Sequence, residues 1–380
     1  MPVYLDNNAT TALDPRVLDA MLPFLKDIHG NPSSVHRYGR LTRNAVEHAR
    51  MQVAQLVAAS PEQVIFTSGG TEANNLAILG SLSNKQPSQL AISAIEHASV
   101  TEPARTLTRQ GWELDYINVD ADGRLDEDSF RSTVSDQTAL LSVMLANNET
   151  GSLQPVQELA QQLADKQLLF HSDASQVAGK LAINFTDLGI DMMTLSSHKF
   201  YGPQGAGALI AKRSIELEPV IHGGGQERGL RNGTENIPAI VGFGAAAELA
   251  RLELEQNSQH SEILKQQLLS ELNRIQGLTL FSQLHESLPN TIQFALENFD
   301  GEALLMYLDK QGIAVSSGSA CHSQAGAPSH VLLAMGVSPE LAKNAIRVSF
   351  GKNNQTDDVS VFIKALKEIT LSSPQSMCAG

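Results

Sequence analysis

The residues around Lys199 in the sequence are those expected around a lysine that takes part in covalent chemistry. It follows an apolar run and stands between His198 and residues 201–203 (YGP). A partly buried, desolvated lysine is a nucleophile toward aldehydes and can form a Schiff base with a carbonyl cofactor such as pyridoxal phosphate. The alternative is a salt-bridged lysine at a strand end, because most lysines are exposed. One aldehyde cofactor would also account for three other clusters, at residues 69–71, 171–173 and 319–321.

Residues 68–71 (SGGT) join a predicted strand to a predicted helix and are suited to binding an anion. Such a turn presents backbone N–H groups and a helix N-terminus, and Thr71 adds a hydroxyl. The segment lacks the lysine and spacing of a nucleotide P-loop and is not GxGxxG, which argues against a dinucleotide. Plain helix capping is the alternative.

Two further strand ends carry polar side chains that suit a planar cofactor. Asp173 ends the predicted strand 168–172 and can pair with a protonated pyridine nitrogen, although a helix N-cap is equally expected there. His97 follows another strand end and can stack on a ring and shuttle protons. A lone histidine is more often a satisfied or surface residue, so this interpretation depends on the other clusters.

Cys321 lies in a small, polar stretch, residues 316–328 (SSGSACHSQAGAP). A buried structural cysteine would lie in an apolar run, whereas a presented thiol is typical of a nucleophile or sulfur carrier. His322 favours the thiolate, because a free thiol with a pKa of about 8.5 is mostly protonated at neutral pH. Cys378, near the C-terminus, has no motif around it and is either incidental or a second sulfur relay.

Arg347 lies within the apolar stretch 344–349 (NAIRVS). An arginine inside an apolar strand is expected to have a bidentate partner. A substrate α-carboxylate and a structural Asp or Glu are equal alternatives for that partner.

An alternation of strands and helices must position these side chains. Short apolar runs predict strands at 64–67, 90–94, 114–119, 139–146, 168–172, 192–196 and 207–212. Helical spacing predicts helices at 41–57, 72–82, 99–110 and 156–164. The alternation indicates an α/β fold with a mostly parallel sheet and helices on both of its faces.

The pattern changes near residue 245. A long polar connector helix is predicted over 245–276, and a smaller α+β unit follows it. Its strands are expected at 291–295, 313–317 and 345–350, and its helices at 302–311, 329–335 and 357–370. We expect a large domain over 16–250, a small domain made of 1–15 and 251–380 that carries Cys321, and a mobile tail over 372–380.

The composition is that of a soluble globular enzyme. The chain has 380 residues, 42% of them hydrophobic, and a net charge of −14. An acidic chain without a basic run argues against a nucleic-acid ligand. Two cysteines form neither a disulfide framework nor a zinc site. No signal peptide and no membrane-spanning apolar run is apparent, so a cytoplasmic protein is expected.

Taken together and in this order, the motifs resemble the cysteine desulfurases, which are pyridoxal-phosphate enzymes of the aspartate aminotransferase fold type I and the class V aminotransferase group. The resemblance extends from residues 4–11 (YLDNNATT) to 346–351 (IRVSFG) and is most specific at 66–75, 197–203 and 316–321. It implies a large cofactor-binding domain with a mostly parallel seven-stranded sheet and a smaller α+β domain.

The resemblance implies a role for each cofactor residue. Lys199 forms the Schiff base with pyridoxal 5'-phosphate and then acts as base and acid, while His97 stacks over the ring. Asp173 pairs with the ring nitrogen and Gln176 contacts the phenolic oxygen. The phosphate ligands implied are Gly70, Thr71, Ser196, His198 and, from the other subunit of a homodimer, Thr234.

The resemblance also implies the sulfur chemistry. Asn148 and Arg347 hold the carboxylate of L-cysteine. Cys321 attacks the substrate sulfur, so that alanine leaves and a persulfide remains on Cys321. An acceptor protein then takes the sulfur for iron–sulfur cluster assembly, tRNA modification or DNA modification.

Two features leave the substrate and the acceptor open. Residues 320–323 (ACHS) resemble selenocysteine lyases and the desulfurases of DNA sulfur modification, and the tail is shorter than the one with which housekeeping members dock an iron–sulfur scaffold. L-cysteine desulfurase is therefore the leading hypothesis and selenocysteine lyase the second. A non-catalytic sulfur-trafficking partner is the third, and an ordinary aminotransferase would have no use for a presented Cys321.

Overall fold

A computed structural model describes residues 2–282, 286–297, 299–317 and 327–371 of the chain. Cys321, His322 and Cys378, together with the predicted mobile tail, lie outside the described residues. Strands run over β1 Val3–Tyr4, β2 Val64–Thr67, β3 Gln89–Ser93, β4 Glu113–Ile117, β5 Thr138–Ser142, β6 Leu169–Asp173, β7 Met192–Ser196, β8 Gly207–Ala211, β9 Leu278–Leu280, β10 Thr291–Leu296, β11 Ile313–Ala314, β12 Ser316–Ser317 and β13 Ala345–Ser349.

The helices alternate with these strands. They run over α1 Pro15–Lys26, α2 Arg37–Leu56, α3 Gly70–Asn75, α4 Ala98–Thr108, α5 Glu127–Thr133, α6 Val156–Gln162, α7 Phe185–Leu188, α8 Ile237–Leu252, α9 Leu254–Leu272, α10 Gly301–Lys310, α11 His330–Ala334, α12 Pro339–Lys343 and α13 Thr356–Leu371. Helix α3 continues directly into a π-helical turn, Leu76–Gly80.

The large sheet has seven strands in the order β2-β8-β7-β6-β5-β3-β4. Neighbouring strands are parallel except where β8 pairs antiparallel with β2 and β7. Apolar helices cover both faces, which is why strands such as β7 and β8 are buried along their whole length. The predicted α/β fold with a mostly parallel seven-stranded sheet is confirmed.

The carboxyl ends of the parallel strands meet at one edge of this sheet. Asp173 is the last residue of β6, and Ser196 is the last residue of β7. His97 begins helix α4 shortly after β3 ends. Open α/β sheets bind ligands at this edge, so the topology alone brings these three side chains together.

The C-terminal part of the chain builds two further small sheets. Strands β12, β13, β10 and β9 form an antiparallel sheet, and β1 pairs parallel with β11. The predicted strand at 313–317 is therefore wrong as a single element, because β11 and β12 have different partners. The predicted connector helix 245–276 is also wrong in extent, because α8 ends at Leu252 and α9 begins at Leu254.

A separate apolar core, which includes Leu268, Phe294 and Phe362, packs between α9, the second sheet and α13. The domain boundary at residue 250 stays a prediction. Among the helices of the described residues, none combines the length and apolar character that crossing a membrane requires.

Candidate active site

Most of the predicted site residues line one cavity of about 220 Å³ at the carboxyl edge of the large sheet. The predicted residues that line it are Gly70, Thr71, His97, Asn148, Asp173, Gln176, Ser196, His198, Lys199 and Arg347. Thr234 is exposed and does not line it. Cys321 lies outside the described residues.

Lys199 reaches the cavity from the turn that follows β7. Its Nζ donates hydrogen bonds to the backbone carbonyl oxygens of Asn8, at 2.7 Å, and Ala9, at 2.9 Å. The chain turns sharply after it, and a Cβ on Gly202 would lie 2.1 Å from the Oγ of Ser197. A glycine is therefore required there, and the close turn holds Lys199 at the rim of the sheet.

Asp173 is a buried carboxylate in the cavity wall. Its Oδ1 accepts the backbone N–H of Ser175 at 2.9 Å, and its Oδ2 accepts the side-chain amide of Asn74 at 2.7 Å. Both carboxylate oxygens are thus held in place by N–H donors, and the group lines the cavity, where it can pair with a protonated ring nitrogen.

His97 is the N-cap of α4 and is held by the first turn of that helix. Its Nδ1 accepts the backbone N–H of Ser99 at 3.1 Å and lies 2.8 Å from the Oγ of Ser99. An imidazole nitrogen that accepts an N–H carries no proton, so in the neutral ring the proton is on Nε2. The ring is thus fixed in one tautomer against the cavity.

The part of the cavity next to the start of α3, at Gly70, is suited to an anion. The first backbone N–H groups of α3 have no carbonyl partner within the helix and begin at Gly70. A Cβ on Gly70 would lie 3.3 Å from the Oγ of Ser175 and 3.4 Å from the Cβ of Ser196. The Gly70 backbone therefore lies close to two serines with no side chain covering it. Helix N–H groups and hydroxyls together bind phosphates well.

His198 lies at the same end of the cavity. Burial, and secondly the charge of Lys199, lower the pKa of His198 to about 4. The ring is therefore neutral at pH 7, and its Nδ1 lies 3.1 Å from the Oγ1 of Thr10. A neutral imidazole can still donate one hydrogen bond to a phosphate oxygen.

Arg347 is almost fully buried and uses only part of its donor capacity. One Nη donates to the carboxylate of Asp6 at 2.7 Å, and the other donates to the backbone oxygen of Asn148 at 3.0 Å. Its Nε has no hydrogen-bond partner among the residues that the structure describes. A structural aspartate partner is thus present, and donors remain for a ligand in the cavity that Arg347 lines.

Two residues that the sequence did not single out, Asn8 and Lys180, hold predicted site residues in place. The carbonyl of Asn8 also accepts the side-chain amide of Gln176 at 3.0 Å, and the Nζ of Lys180 donates to the Oε1 of Gln176 at 2.8 Å. Burial, followed by the charges of Lys199 and Arg347, lowers the pKa of Lys180. Asn8 lies within the motif at 4–11, but nothing in the sequence placed that motif beside Lys199.

The residues on both sides of segment 318–326, which contains Cys321, lie next to the cavity wall. Ser316 in β12 is paired directly with Arg347 in β13. After the segment, the Oγ of Ser329 donates to the buried carboxylate of Glu149 at 2.5 Å, next to Asn148 in the sequence.

These groups fit pyridoxal phosphate in charge and chemistry. The cavity offers an anion site at Gly70, a carboxylate for a ring nitrogen and an amine for an aldehyde. Its cationic end at Arg347 fits the carboxylate of an amino-acid substrate.

The chain is similar to known proteins over nearly its whole length. Residues 3–362 match the family described as aminotransferase class-V. The cysteine desulfurase IscS of Dictyoglomus turgidum is 42% identical over 97% of this chain and 94% of that protein. The solved structure of a NifS-like protein has a TM-score of 0.92 at 38% identity, covering 98% of this chain and all of that one.

A solved structure of SspA in complex with cysteine has a TM-score of 0.79 at 34% identity, covering 92% of this chain and 99% of that one. The family match, over residues 3–362, spans every residue that lines the cavity. The chain belongs to the cysteine desulfurase group of the class V aminotransferase family.

Proposed function

We propose that this chain uses pyridoxal 5'-phosphate to move the sulfur of L-cysteine to Cys321, with release of L-alanine. The observation that carries the proposal is one cavity that joins Lys199, Asp173 and an anion site and is flanked by the residues on either side of segment 318–326. An ordinary aminotransferase has no need for a thiol at that position.

Each cavity residue has a task toward the cofactor. When bound, the cofactor acts as an electron sink that stabilises negative charge on the substrate. Lys199 would bind its aldehyde carbon and then move protons at the substrate. Asp173 would pair with the ring nitrogen, His97 would lie against the ring and Gln176 would contact the phenolic oxygen. Gly70, Thr71, Ser196 and His198 would hold the phosphate.

Arg347 and Asn148 orient the substrate by its carboxylate. The thiolate of Cys321 attacks the substrate sulfur, so that an S–S bond forms and the C–S bond breaks. The electron pair of the broken bond stays with the substrate carbon, which takes up a proton and leaves as alanine. The sulfur remains as a persulfide on Cys321 and passes to an acceptor protein in the cytoplasm.

A homodimer completes the site in this proposal. Thr234 is exposed in a single chain, and a second copy would bring it to the phosphate end of its neighbour. Mixed dimers of one Lys199→Ala subunit and one Thr234→Ala subunit test this. The Thr234→Ala subunit keeps Lys199 in its own site. That site is complete only if Thr234 is supplied across the interface by the Lys199→Ala subunit. Recovery of activity on mixing is expected, and no recovery would show that Thr234 acts within its own chain or not at all.

The central experiment uses mass spectrometry after incubation with L-cysteine. Wild type and Cys378→Ala should release alanine and gain one sulfur atom on Cys321, whereas Cys321→Ala should do neither. If Cys321→Ala desulfurates cysteine at the wild-type rate, the proposal is wrong. A sulfur adduct on Cys378 alone would move the acceptor role to the C-terminal tail.

Selenocysteine is the second candidate substrate, because residues 320–323 read ACHS. A selenol leaves with less help than a thiol. A kcat/KM on L-selenocysteine far above that on L-cysteine, and unaffected by Cys321→Ala, would identify the chain as a selenocysteine lyase. Comparable values, with Cys321 required for cysteine, support the desulfurase.

A further inference from the structure

Asn74, in helix α3, bridges two parts of the site that are distant in sequence. It is completely buried, and its Nδ2 donates to the Oδ2 of Asp173 at 2.7 Å and to the Oγ of Ser99 at 2.8 Å. Ser99 in turn contacts His97 by both its backbone N–H and its hydroxyl. One amide nitrogen therefore connects the carboxylate Asp173 with the imidazole of His97.

The chemistry of the partners dictates the direction of these hydrogen bonds. An ionised carboxylate only accepts, so the atom of Asn74 that faces Asp173 must be the NH₂ group. The second N–H of the same group occupies a lone pair of the Ser99 hydroxyl. The Ser99 hydrogen is then directed at its other close neighbour, the Nδ1 of His97, which the backbone N–H of Ser99 also approaches.

The cost of this arrangement indicates that it serves more than packing. The Oδ1 of Asn74 is buried and accepts no hydrogen bond from any residue that the structure describes. Leaving a buried acceptor unpaired destabilises a fold, and an apolar side chain would avoid the penalty. The same helix begins at Gly70, one turn away, so α3 contacts both the anion end and the ring-facing groups of the cavity.

We propose that Asn74 is a positioning residue for the reaction, which holds the carboxylate of Asp173 with one N–H and, through the hydroxyl of Ser99, supports the orientation of His97 with the other. This inference rests on the proposed use of pyridoxal phosphate. Asn74 touches neither substrate nor cofactor and acts only through Asp173 and His97.

The test compares Asn74→Ala with Asn75→Ala in the protein loaded with pyridoxal phosphate. Asn75 is the matched control, because it is the next residue of α3 and its amide donates to the backbone carbonyl of Thr71, outside the link between Asp173 and His97. Asn74→Ala should shift the visible absorption band of the bound cofactor and lower kcat roughly ten- to hundredfold, the factor expected for one hydrogen bond to a charged group. KM should change little, and Asn75→Ala should match wild type in all three.

Ser99→Ala separates the two branches. It removes the hydroxyl link to His97 and leaves the hydrogen bond to Asp173, so the absorption band should stay as in wild type while kcat falls and its pH profile shifts. The double variant Asn74→Ala/Ser99→Ala should lose less kcat than the product of the two single losses, because both changes act on the same path to His97.

Three results would overturn the inference: a folded Asn74→Ala protein with wild-type absorption and kcat, a Ser99→Ala protein with unchanged kcat and pH profile, or fully additive losses in the double variant. Thermal unfolding shows whether Asn74→Ala folds, and Ser99→Ala decides the branch to His97 if it does not. The absorption band does not require desulfuration. A wild-type protein that binds the cofactor but makes no persulfide would therefore refute the proposed function while still testing Asn74.

Discussion

The amine of Lys199 and the backbone carbonyl of Asn8 are joined by a hydrogen bond of 2.7 Å across 191 residues of sequence. The same carbonyl accepts the amide of Gln176, so one backbone oxygen from the N-terminal segment orients two side chains of the cavity. A backbone oxygen cannot be protonated or removed by titration at ordinary pH. It gives the lysine a fixed resting position beside the cavity.

Lys199 should carry the cofactor covalently. Reduction of the loaded protein with borohydride, followed by peptide mass spectrometry, is expected to find the cofactor on Lys199. Lys199→Ala should lose the label and all measurable desulfuration, whereas Lys364→Ala should keep both, because Lys364 is largely exposed on α13 and does not line the cavity. A label retained in Lys199→Ala at another lysine would contradict the assignment.

Substitution of Arg347 should weaken substrate binding more than it weakens the fold. Arg347→Leu is expected to raise KM for L-cysteine by roughly a hundredfold or more, since it removes the buried cation that faces the substrate carboxylate. The KM of Arg347→Lys should lie between those of wild type and Arg347→Leu, because lysine keeps the charge but loses the planar, bidentate guanidinium.

Asp6→Asn is the control, because it removes the ion pair with Arg347 but leaves the guanidinium in place. It should lower the unfolding temperature with a small change in KM. If Asp6→Asn raises KM as much as Arg347→Leu, the arginine acts mainly through its structural pair.

Glu149 should make stability depend on pH. Burial raises the pKa of Glu149 to about 7, and the hydroxyl of Ser329 and the amide of Gln293 only partly offset that effect. Because the folded protein holds this proton more tightly than the unfolded chain, Glu149 lowers the free energy of unfolding as pH rises from about 4.5 to about 7. The expected slope is at most about 1.4 kcal/mol per pH unit.

Urea unfolding of wild type and Glu149→Gln measures this effect as a difference. His171 and His198, whose pKa values are lowered to about 4 by burial, act in the opposite direction between about pH 4 and 6.5, but they are common to both proteins. The free energy of unfolding of Glu149→Gln, relative to that of wild type, should increase with pH up to about pH 7 and stay constant above it. A stability difference between the two proteins that does not change with pH would refute the assignment.

The ion pair of Arg50 and Glu227 should be a principal anchor of the segment that leads to Thr234. Both side chains are buried, and the two Nη atoms contact the carboxylate at 2.8 and 2.7 Å. Glu227→Ala should cost about 3–5 kcal/mol in unfolding free energy, because it leaves the Arg50 cation buried without this partner.

Glu47→Ala removes the exposed partner of the same arginine and should cost less than about 1 kcal/mol. Equal losses of unfolding free energy in Glu227→Ala and Glu47→Ala would show that the buried pair is not worth more than the exposed one. Cofactor loss on dialysis should be faster in Glu227→Ala if the pair also positions Thr234 for the neighbouring subunit.

The sequence determined the elements and the chemistry, because both are local. Strands such as β2 and β7 are bounded apolar runs, and the structure places them at the predicted residues. The immediate neighbours of Lys199 mark it as an unusual lysine. Those of Cys321 predict a presented thiol, which lies outside the described residues and stays a prediction. The resemblance to the cysteine desulfurases depended on such short motifs and is confirmed by the comparisons.

Only the tertiary structure decided how those residues are held. Asn74 reads in sequence as one polar position in a helix, and its bond to Asp173 spans 99 residues. Arg347 and Asp6 are separated by 341 residues, so whether the arginine had a structural partner could not be read from its strand. Periodicity records which face of an element is buried but not which element packs there. The partners of buried polar groups therefore become known only when the sheet edge, helix α3 and the N-terminal segment are brought together.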